Sequence, residues 1–169
     1  MAKAEKPSKK ASPATKAGKE RLYTLVVFIV SGPVTEKFAK KNPEISRTIQ
    51  IRGDQTLEEL HHAIFDAFDR EEEHLFEYQF GKKPMDPNGP RYVLHDDGEK
   101  HIAGLVSETT IDSLGLEVGR SFGYWFDFGD DWWHQIDVEV IDDEVPKGKY
   151  PKVTKRVGKS TSQYPDDDE

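Results

Sequence analysis

Residues 122–140, FGYWFDFGDDWWHQIDVEV, are the stretch that decides the fold. They include all three tryptophans of the chain and three of its nine phenylalanines. Two strand-like runs flank Gly129-Asp130-Asp131, in which glycine supplies an unusual backbone angle and aspartate caps backbone N–H groups. The stretch therefore predicts a β-hairpin.

The predicted hairpin has one apolar face, because side chains alternate between the two faces of a strand. Before the turn this face carries Phe122, Tyr124, Phe126 and Phe128; after it, Trp132, His134, Ile136, Val138 and Val140. His134 is thus expected to point inward near the turn, beside Trp132. Asp127 is expected on the outer face with Trp125 and Trp133.

Three further segments are predicted to be strands of the same sheet. Leu22–Val30 is β-branched and aromatic, which is typical of a central strand buried on both faces. Ile45–Arg52 alternates, with Arg47 among the apolar positions, and indicates a half-exposed strand. His74–Phe80 is the third, and residues 91–95 are a candidate short strand.

Thr56–Phe68 is the clearest helix. Thr56 and Glu59 form a capping box, and the apolar residues that follow have helical spacing. His61 falls on the apolar face and His62 at its edge. The charged run Asp69–Glu73 is expected to end the helix, and shorter helical turns are expected at residues 34–41 and 110–116.

The order of these elements predicts an α+β roll in which a mixed β-sheet packs on one main helix. It is similar to the β-grasp order with an extra hairpin. Residues 22–145 are predicted to be a single domain, preceded by a disordered basic tail, residues 1–21, and followed by a C-terminal basic arm with an acidic end, residues 146–169.

Charge is segregated along the chain. The net charge is −8, of which residues 1–21 contribute +5, residues 22–145 contribute −15, residues 146–165 contribute +6 and residues 166–169 contribute −4. An acidic body is a poor surface for duplex DNA, because phosphate contacts supply most of such affinity. The basic arms could bind nucleic acid or an acidic partner, or serve only solubility.

The chain contains no cysteine, which removes disulfides, thiolate nucleophiles and cysteine-ligated zinc. This composition fits a cytoplasmic location. The longest apolar run, Leu25–Val30, is too short to cross a bilayer, so no membrane association is expected.

The chemistry-bearing residues lie mainly in the hairpin. No nucleophile elbow, phosphate-binding loop, dinucleotide fingerprint or HExxH motif occurs. Asp127, Asp130 and His134 could be structural, with Asp130 capping the turn. They could instead converge with His61 or His74 on a divalent cation, for which Asp130, His134 and His61 are the candidate ligands. No other cofactor is expected.

Three segments together resemble the plasmid pRiA4b ORF-3-like family: TLEELHHAIFDAFDREEEHLFEYQF, DSLGLEVGRSFGYWFDFGDDWWHQIDVEV and YPKVTKRVGKSTSQYP. The chain departs from the family at residues 160–163, where paired prolines are frequent. The resemblance implies a fold more than an activity. It places the recurring polar residues of the family on His61, His74, Asp127, Asp130, Trp132 and His134.

The function expected from these observations is that of a non-catalytic module that binds a protein or a ligand. A metal-dependent hydrolase or nuclease that uses the Asp/His cluster is the alternative, and nucleic-acid binding through the basic arms is a further one. The decisive observation is whether His61, His74, Asp130 and His134 meet around a cleft.

Overall fold

The computed structural model describes residues 20–165 of the chain. In chain order its elements are β1 (Leu22–Ser31), α1 (Glu36–Lys41), β2 (Ser46–Arg52), α2 (Leu57–Ala67), β3 (Phe76–Gln79), β4 (Arg91–Val93), β5 (Ile102–Leu105), a 3₁₀ helix (Asp112–Leu114), β6 (Ser121–Phe126), β7 (Trp132–Asp142) and β8 (Lys152–Val157). Residues 1–19 of the predicted basic tail and the acidic end at residues 166–169 lie outside the described residues.

The eight strands form one sheet in the order β5-β4-β3-β6-β7-β1-β2-β8. Every neighbouring pair is antiparallel except β4 and β5, which are parallel. The sheet is therefore mixed, and the prediction of an α+β domain is confirmed at this level.

β1 lies between β7 and β2, as expected of a central strand. Tyr23, Leu25 and Val27 are fully buried against the core. Val26 and Phe28, which alternate with them, are only half-buried. The prediction of burial on both faces is therefore wrong for the second half of β1, because its outer face is left partly open.

α2 begins where its capping box predicts, and it ends at Ala67, just before the charged run. Thr56 is the N-cap, its side chain accepts from the Glu59 N–H, and the Glu59 carboxylate accepts from the Thr56 N–H. The helix packs on the inner face of the sheet through Leu57, Leu60, His61, Ile64 and Ala67, which are all buried.

Arg47, which interrupts the apolar face of β2, closes the C-terminal end of α2. Its Nε donates to the Ala67 carbonyl at 2.9 Å, and Arg156 Nη1 donates to the same oxygen at 2.8 Å. Two guanidinium groups thus satisfy the last carbonyl of α2 and complement the negative end of the helix dipole. This contact explains why a charged residue occupies an interior position.

Within the strands of the β6–β7 hairpin, Tyr124, Phe126, Trp132 and His134 are buried on one face as predicted, but the geometry differs at its tip. Tyr124 pairs with His134, and Phe126 pairs with Trp132. Because β6 ends at Phe126, Phe128 does not continue the inner face and is exposed, in contact with the Trp125 ring. The prediction that Phe128 shares the core face is therefore wrong.

Residues 152–157, predicted to belong to a C-terminal arm, form β8 and pair with β2 at the edge of the sheet. The following segment, residues 158–165, which we call the C-terminal segment, folds back over the connection between α2 and β3. The sequence did not predict this strand because its composition is basic. The structure accounts for that composition, since the lysine side chains of β8 lie on the exposed edge of the sheet.

Among residues 20–165, no helix combines the length and the apolar character that crossing a membrane would require.

Candidate functional site

The polar side chains of interest gather where the α2–β3 connection, residues 68–75, meets the tip of the β6–β7 hairpin. α2 and the hairpin strands hold His61, Tyr124 and His134 in the buried core. From its charged run the connection adds Arg70, Glu72, Glu73 and His74. These residues form two hydrogen-bonded clusters.

The first cluster is built around His61, whose ring stacks on Phe76 with centroids 3.7 Å apart. Its Nε2 lies 2.8 Å from a Glu73 oxygen, and its Nδ1 lies 2.6 Å from the Tyr124 hydroxyl. A carboxylate only accepts, so Nε2–H donates to Glu73 and Nδ1 accepts from Tyr124. Burial lowers the pKa of His61 to about 4, against the opposing effect of Glu73.

His134 lies on the other side of Tyr124 and is fully buried. Its Nδ1 lies 3.1 Å from the Tyr124 carbonyl, and its Nε2 lies 2.8 Å from Arg70 Nη2. Arginine only donates, so Nε2 accepts and Nδ1–H donates to the carbonyl. Burial, reinforced by the charge of Arg70, holds the pKa of His134 well below its usual value. Both ring nitrogens are committed to these bonds.

Arg70 is the unexpected member of this cluster. Its guanidinium lies about equally far from three aromatic rings, with Cζ 5.2 Å from the ring centroid of Phe68, 5.0 Å from that of Phe126 and 5.1 Å from that of Trp132. Among the described residues it forms no ion pair with a carboxylate, and Nη1 is buried without a hydrogen-bond partner. Burial lowers the pKa of Arg70 to about 10, so the group is charged at neutral pH.

Trp132 has a second unpartnered donor at the same place. The residue is completely buried, and its Nε1 has no hydrogen-bond partner among the described residues. Buried polar groups almost always have partners. Arg70 and Trp132 therefore each have one buried donor for which no acceptor is found among the described residues.

The second cluster lies nearer the surface and contains His74, Asp127 and Tyr164. His74 Nε2 lies 2.7 Å from the Tyr164 hydroxyl and 3.4 Å from Asp127 Oδ2. The Tyr164 hydroxyl donates to Glu72, and this hydrogen bond raises the pKa of Tyr164 to about 12. The C-terminal segment thus supplies one member of the cluster.

Asp127 caps the turn, a role that the sequence assigned to Asp130. Its Oδ1 accepts from the N–H groups of Gly129 and Asp130, at 3.1 and 3.2 Å. The left-handed backbone angles occur at Asp127 and Asp131, not at Gly129. Asp127 is buried, so its predicted place on the outer face is wrong: the strand ends one residue before it, and the alternation ends with the strand.

The structure divides the six predicted site residues. His61, His134 and Trp132 line the buried cluster, and His74 and Asp127 form the outer one. Asp130 is exposed, and its side chain makes no hydrogen bond or ion pair with another described residue. The predicted convergence of Asp130 and His134 on one cation does not occur, because both His134 nitrogens are already bonded.

Four functional candidates escaped sequence reasoning: Arg70, Glu73, Tyr124 and Tyr164. Arg70 and Glu73 belong to the charged run predicted only to end the helix, and Tyr124 was counted as a core aromatic residue. A signal was present for Tyr124, because its hydroxyl on a fully buried strand position needs a polar partner.

Comparison with known proteins places this arrangement in a family. The model of the plasmid pRiA4b ORF-3-like protein family matches residues 35–167. The chain belongs to this family. The matched range includes both clusters and the whole C-terminal segment, so the candidate site lies within the part of the chain that the family shares.

A solved structure has the same fold as this pRiA4b ORF-3-like protein. It is the crystal structure of MM3350 from Methanosarcina mazei Go1, a protein of unknown function, with a TM-score of 0.64 and 23% sequence identity over 83% of this chain and 72% of MM3350. Among curated proteins, none matches the chain significantly. The family and MM3350 therefore establish the fold and assign no biochemical activity.

Proposed function

We propose that this protein is a non-catalytic binding module that recognises an anionic oxygen group, a carboxylate or a phosphate, through Arg70. The observation that carries the proposal is the buried guanidinium, which has no acidic partner among residues 20–165. Arginine is suited to such a ligand because its planar fork of donors matches both groups in a bidentate manner.

The energetic argument concerns the charge of Arg70. Burial lowers the pKa of Arg70 from its usual value to about 10, which corresponds to a cost of about 3 kcal/mol for keeping the buried group charged. The surrounding rings and the Arg70–His134 hydrogen bond offset part of this cost and leave Nη1 without an acceptor. A ligand oxygen would supply the missing acceptor in a medium where such bonds are strong.

Trp132 supports the same ligand. Its indole ring centroid lies 5.1 Å from Arg70 Cζ, and its Nε1–H also lacks an acceptor within the part of the chain that the structure describes. One anionic group has several lone pairs and could accept from both residues. The neighbouring rings of Phe68 and Phe126 would exclude water and strengthen the contact.

Access to Arg70 is proposed to pass beneath the C-terminal segment. Gln163 fixes the residues that follow Arg70: its Oε1 accepts from the N–H groups of Glu71 and Glu72, and its Nε2 donates to the Glu72 carbonyl. The segment is held largely by hydrogen bonds of this kind, so it can separate without disrupting the core between α2 and the sheet.

Arg70→Met and Trp132→Phe test the proposal in the full-length protein. Glutarate and inorganic phosphate serve as probes in calorimetric titrations and in thermal denaturation. We expect saturable binding of at least one anion to the wild type, loss of binding in Arg70→Met, and binding at least about tenfold weaker in Trp132→Phe, which removes the N–H donor together with part of the buried ring. Arg120→Met is the matched control, because Arg120 also lies over an aromatic ring, that of Phe80.

The same variants separate function from folding. Replacing a buried, unpaired charge with an apolar side chain is often neutral or stabilising, so we expect Arg70→Met to unfold within about 1 kcal/mol of the wild type or to be more stable. Binding of neither anion to the wild type, or undiminished binding in Arg70→Met, would overturn the proposal. A loss of stability above about 3 kcal/mol would identify Arg70 as a purely structural residue.

We also propose the finer architecture and location expected from the sequence. α2 is proposed as the main helix over the sheet, and the order β1-β2-α2-β3 supports a β-grasp-like comparison. The antiparallel pairing of β1 with β7 and the addition of β4, β5 and β8 depart from that comparison.

The domain is proposed to extend beyond residue 145 to include β8. The protein is proposed to be cytoplasmic.

A further inference from the structure

We infer that His61, His62 and Glu73 form a binding site for a divalent transition-metal ion, with Zn²⁺ as the best match. One ligand atom from each residue lies within 4.8 Å of those of the other two. The Glu73 carboxylate is central, since His61 Nε2 lies 2.8 Å from Oε1 and His62 Nδ1 lies 3.9 Å from Oε2. This site is separate from the proposed anion site at Arg70.

His61 is held in the orientation that a metal ligand needs. The ring is 1% exposed and stacks on Phe76 with an interplanar angle of 4°. The Tyr124 hydroxyl bonds to Nδ1, so Nε2 faces Glu73. Metal-binding histidines characteristically use one ring nitrogen as ligand while the other is fixed by a hydrogen bond. Binding of the ion to Nε2 would move the His61 proton from Nε2 to Nδ1. The Tyr124 hydroxyl would then rotate, so that its oxygen accepts a hydrogen bond from Nδ1–H instead of donating to Nδ1.

The other two ligands give the site an open side. The side chains of His62 and Glu73 are 60% and 53% exposed, so solvent reaches the ion directly. His61 and His62 are neighbours in α2, and their ring centroids are 5.2 Å apart. Neither His62 nor Glu73 contributes to the apolar core. The exposed ligands can therefore adjust to an ion while His61 stays fixed.

The donor set selects the class of ion. Two imidazole nitrogens and one carboxylate suit Zn²⁺ and neighbouring first-row divalent ions better than Mg²⁺ or Ca²⁺, which prefer oxygen ligands. Three protein ligands leave a coordination position free for water or for a group on a partner. The predicted cation ligands Asp130 and His134 take no part, and His61 is the one residue shared with that prediction.

Metal titration of the full-length protein tests the inference. We expect one Zn²⁺ per chain by calorimetry, and visible absorption bands typical of low-coordinate Co²⁺ when Co²⁺ replaces Zn²⁺. His62→Ala and Glu73→Gln remove one ligand each from the surface, and we expect affinity to fall more than the roughly 10- to 100-fold that loss of an outer hydrogen-bond partner causes. Tyr124→Phe removes the outer hydrogen-bond partner of His61, so its loss of Zn²⁺ affinity should lie within this 10- to 100-fold range.

Two controls keep the result specific. His95→Ala removes an exposed histidine outside the cluster and should leave both stoichiometry and affinity unchanged. Arg70→Met should bind Zn²⁺ as the wild type does, which distinguishes failure of this inference from failure of the anion site. The inference would be overturned if the wild type bound no stoichiometric Zn²⁺. It would also be overturned if His62→Ala and Glu73→Gln bound Zn²⁺ with the affinity of the wild type.

Discussion

His134 shows how a single buried residue couples this fold to pH. Its folded-state pKa lies well below the ordinary value of 6.5, and that of His61 is about 4. As pH falls below about 6.5 the unfolded chain binds protons at both positions and the folded chain does not, so stability is lost toward acid. Two such histidines give a slope of up to about 2.7 kcal/mol per pH unit between pH 6.5 and 4.

His134→Gln measures how much of this pH dependence of stability comes from His134. Glutamine does not titrate, and its carbonyl can accept from Arg70 in place of Nε2. We expect the free energy of unfolding to lose about half of its pH dependence between pH 6.5 and 4. Urea denaturation across this range provides the measurement. An unchanged slope in His134→Gln would contradict the assignment of His134 as a neutral buried group.

The C-terminal segment is the element on which the α2–β3 connection depends. Gln163 is buried and makes three hydrogen bonds to the backbone of Glu71 and Glu72. Gln163→Ala should cost about 2–3 kcal/mol, because it leaves three backbone groups without partners. We expect the loss to be local, so hydrogen exchange at the Glu71 and Glu72 amides should accelerate at least about tenfold while exchange in β1 stays unchanged.

Ser162→Ala is the matched control for this prediction. Ser162 is half-buried in the same segment, and its side chain makes no hydrogen bond to another described residue. Exchange at Glu71 and Glu72 should therefore remain as in the wild type. If Gln163→Ala also left these amides protected, the segment would not be held by Gln163, and access to Arg70 would need another route.

Local signals explain which elements were predictable from the sequence. The capping box of Thr56 and Glu59 predicted the start of α2. The alternation of apolar and polar residues predicted β2 and both hairpin strands. Arg70 and β8 could not be found in this way. The burial of Arg70 depends on His134, 64 residues further along the chain, and β8 is defined by pairing with β2 rather than by its own composition. At the hairpin tip, the end of β6 at Phe126 moved Asp127 and Phe128 off their expected faces.

The whole molecule joins an acidic body to a basic edge. Residues 22–145 carry −15 and residues 146–165 carry +6. Because β8 pairs with β2, part of this basic stretch is an edge strand of the sheet. Deleting residues 147–159 to test nucleic-acid binding would therefore also remove a strand. Charge has to be removed from the stretch without removing β8.

Substitution of the exposed lysines Lys147, Lys149, Lys152 and Lys155 by glutamine meets this need. We expect the wild type to bind a duplex oligonucleotide weakly and only at low salt, because the acidic body repels phosphate. Each lysine that contacts a phosphate contributes about 0.9 to the slope of log affinity against log salt concentration, so the fourfold variant should lose up to about 3.6 of that slope together with its binding.

The reciprocal control changes four exposed acidic residues to their amides and should strengthen binding: Glu36, Asp142, Asp143 and Glu144. Tight binding at about 0.15 M salt that survives the lysine substitutions would place a nucleic-acid site outside the basic edge. Lys152 and Lys155, which lie in β8, would then serve to keep this strand from pairing with other chains, as charged residues do on many edge strands.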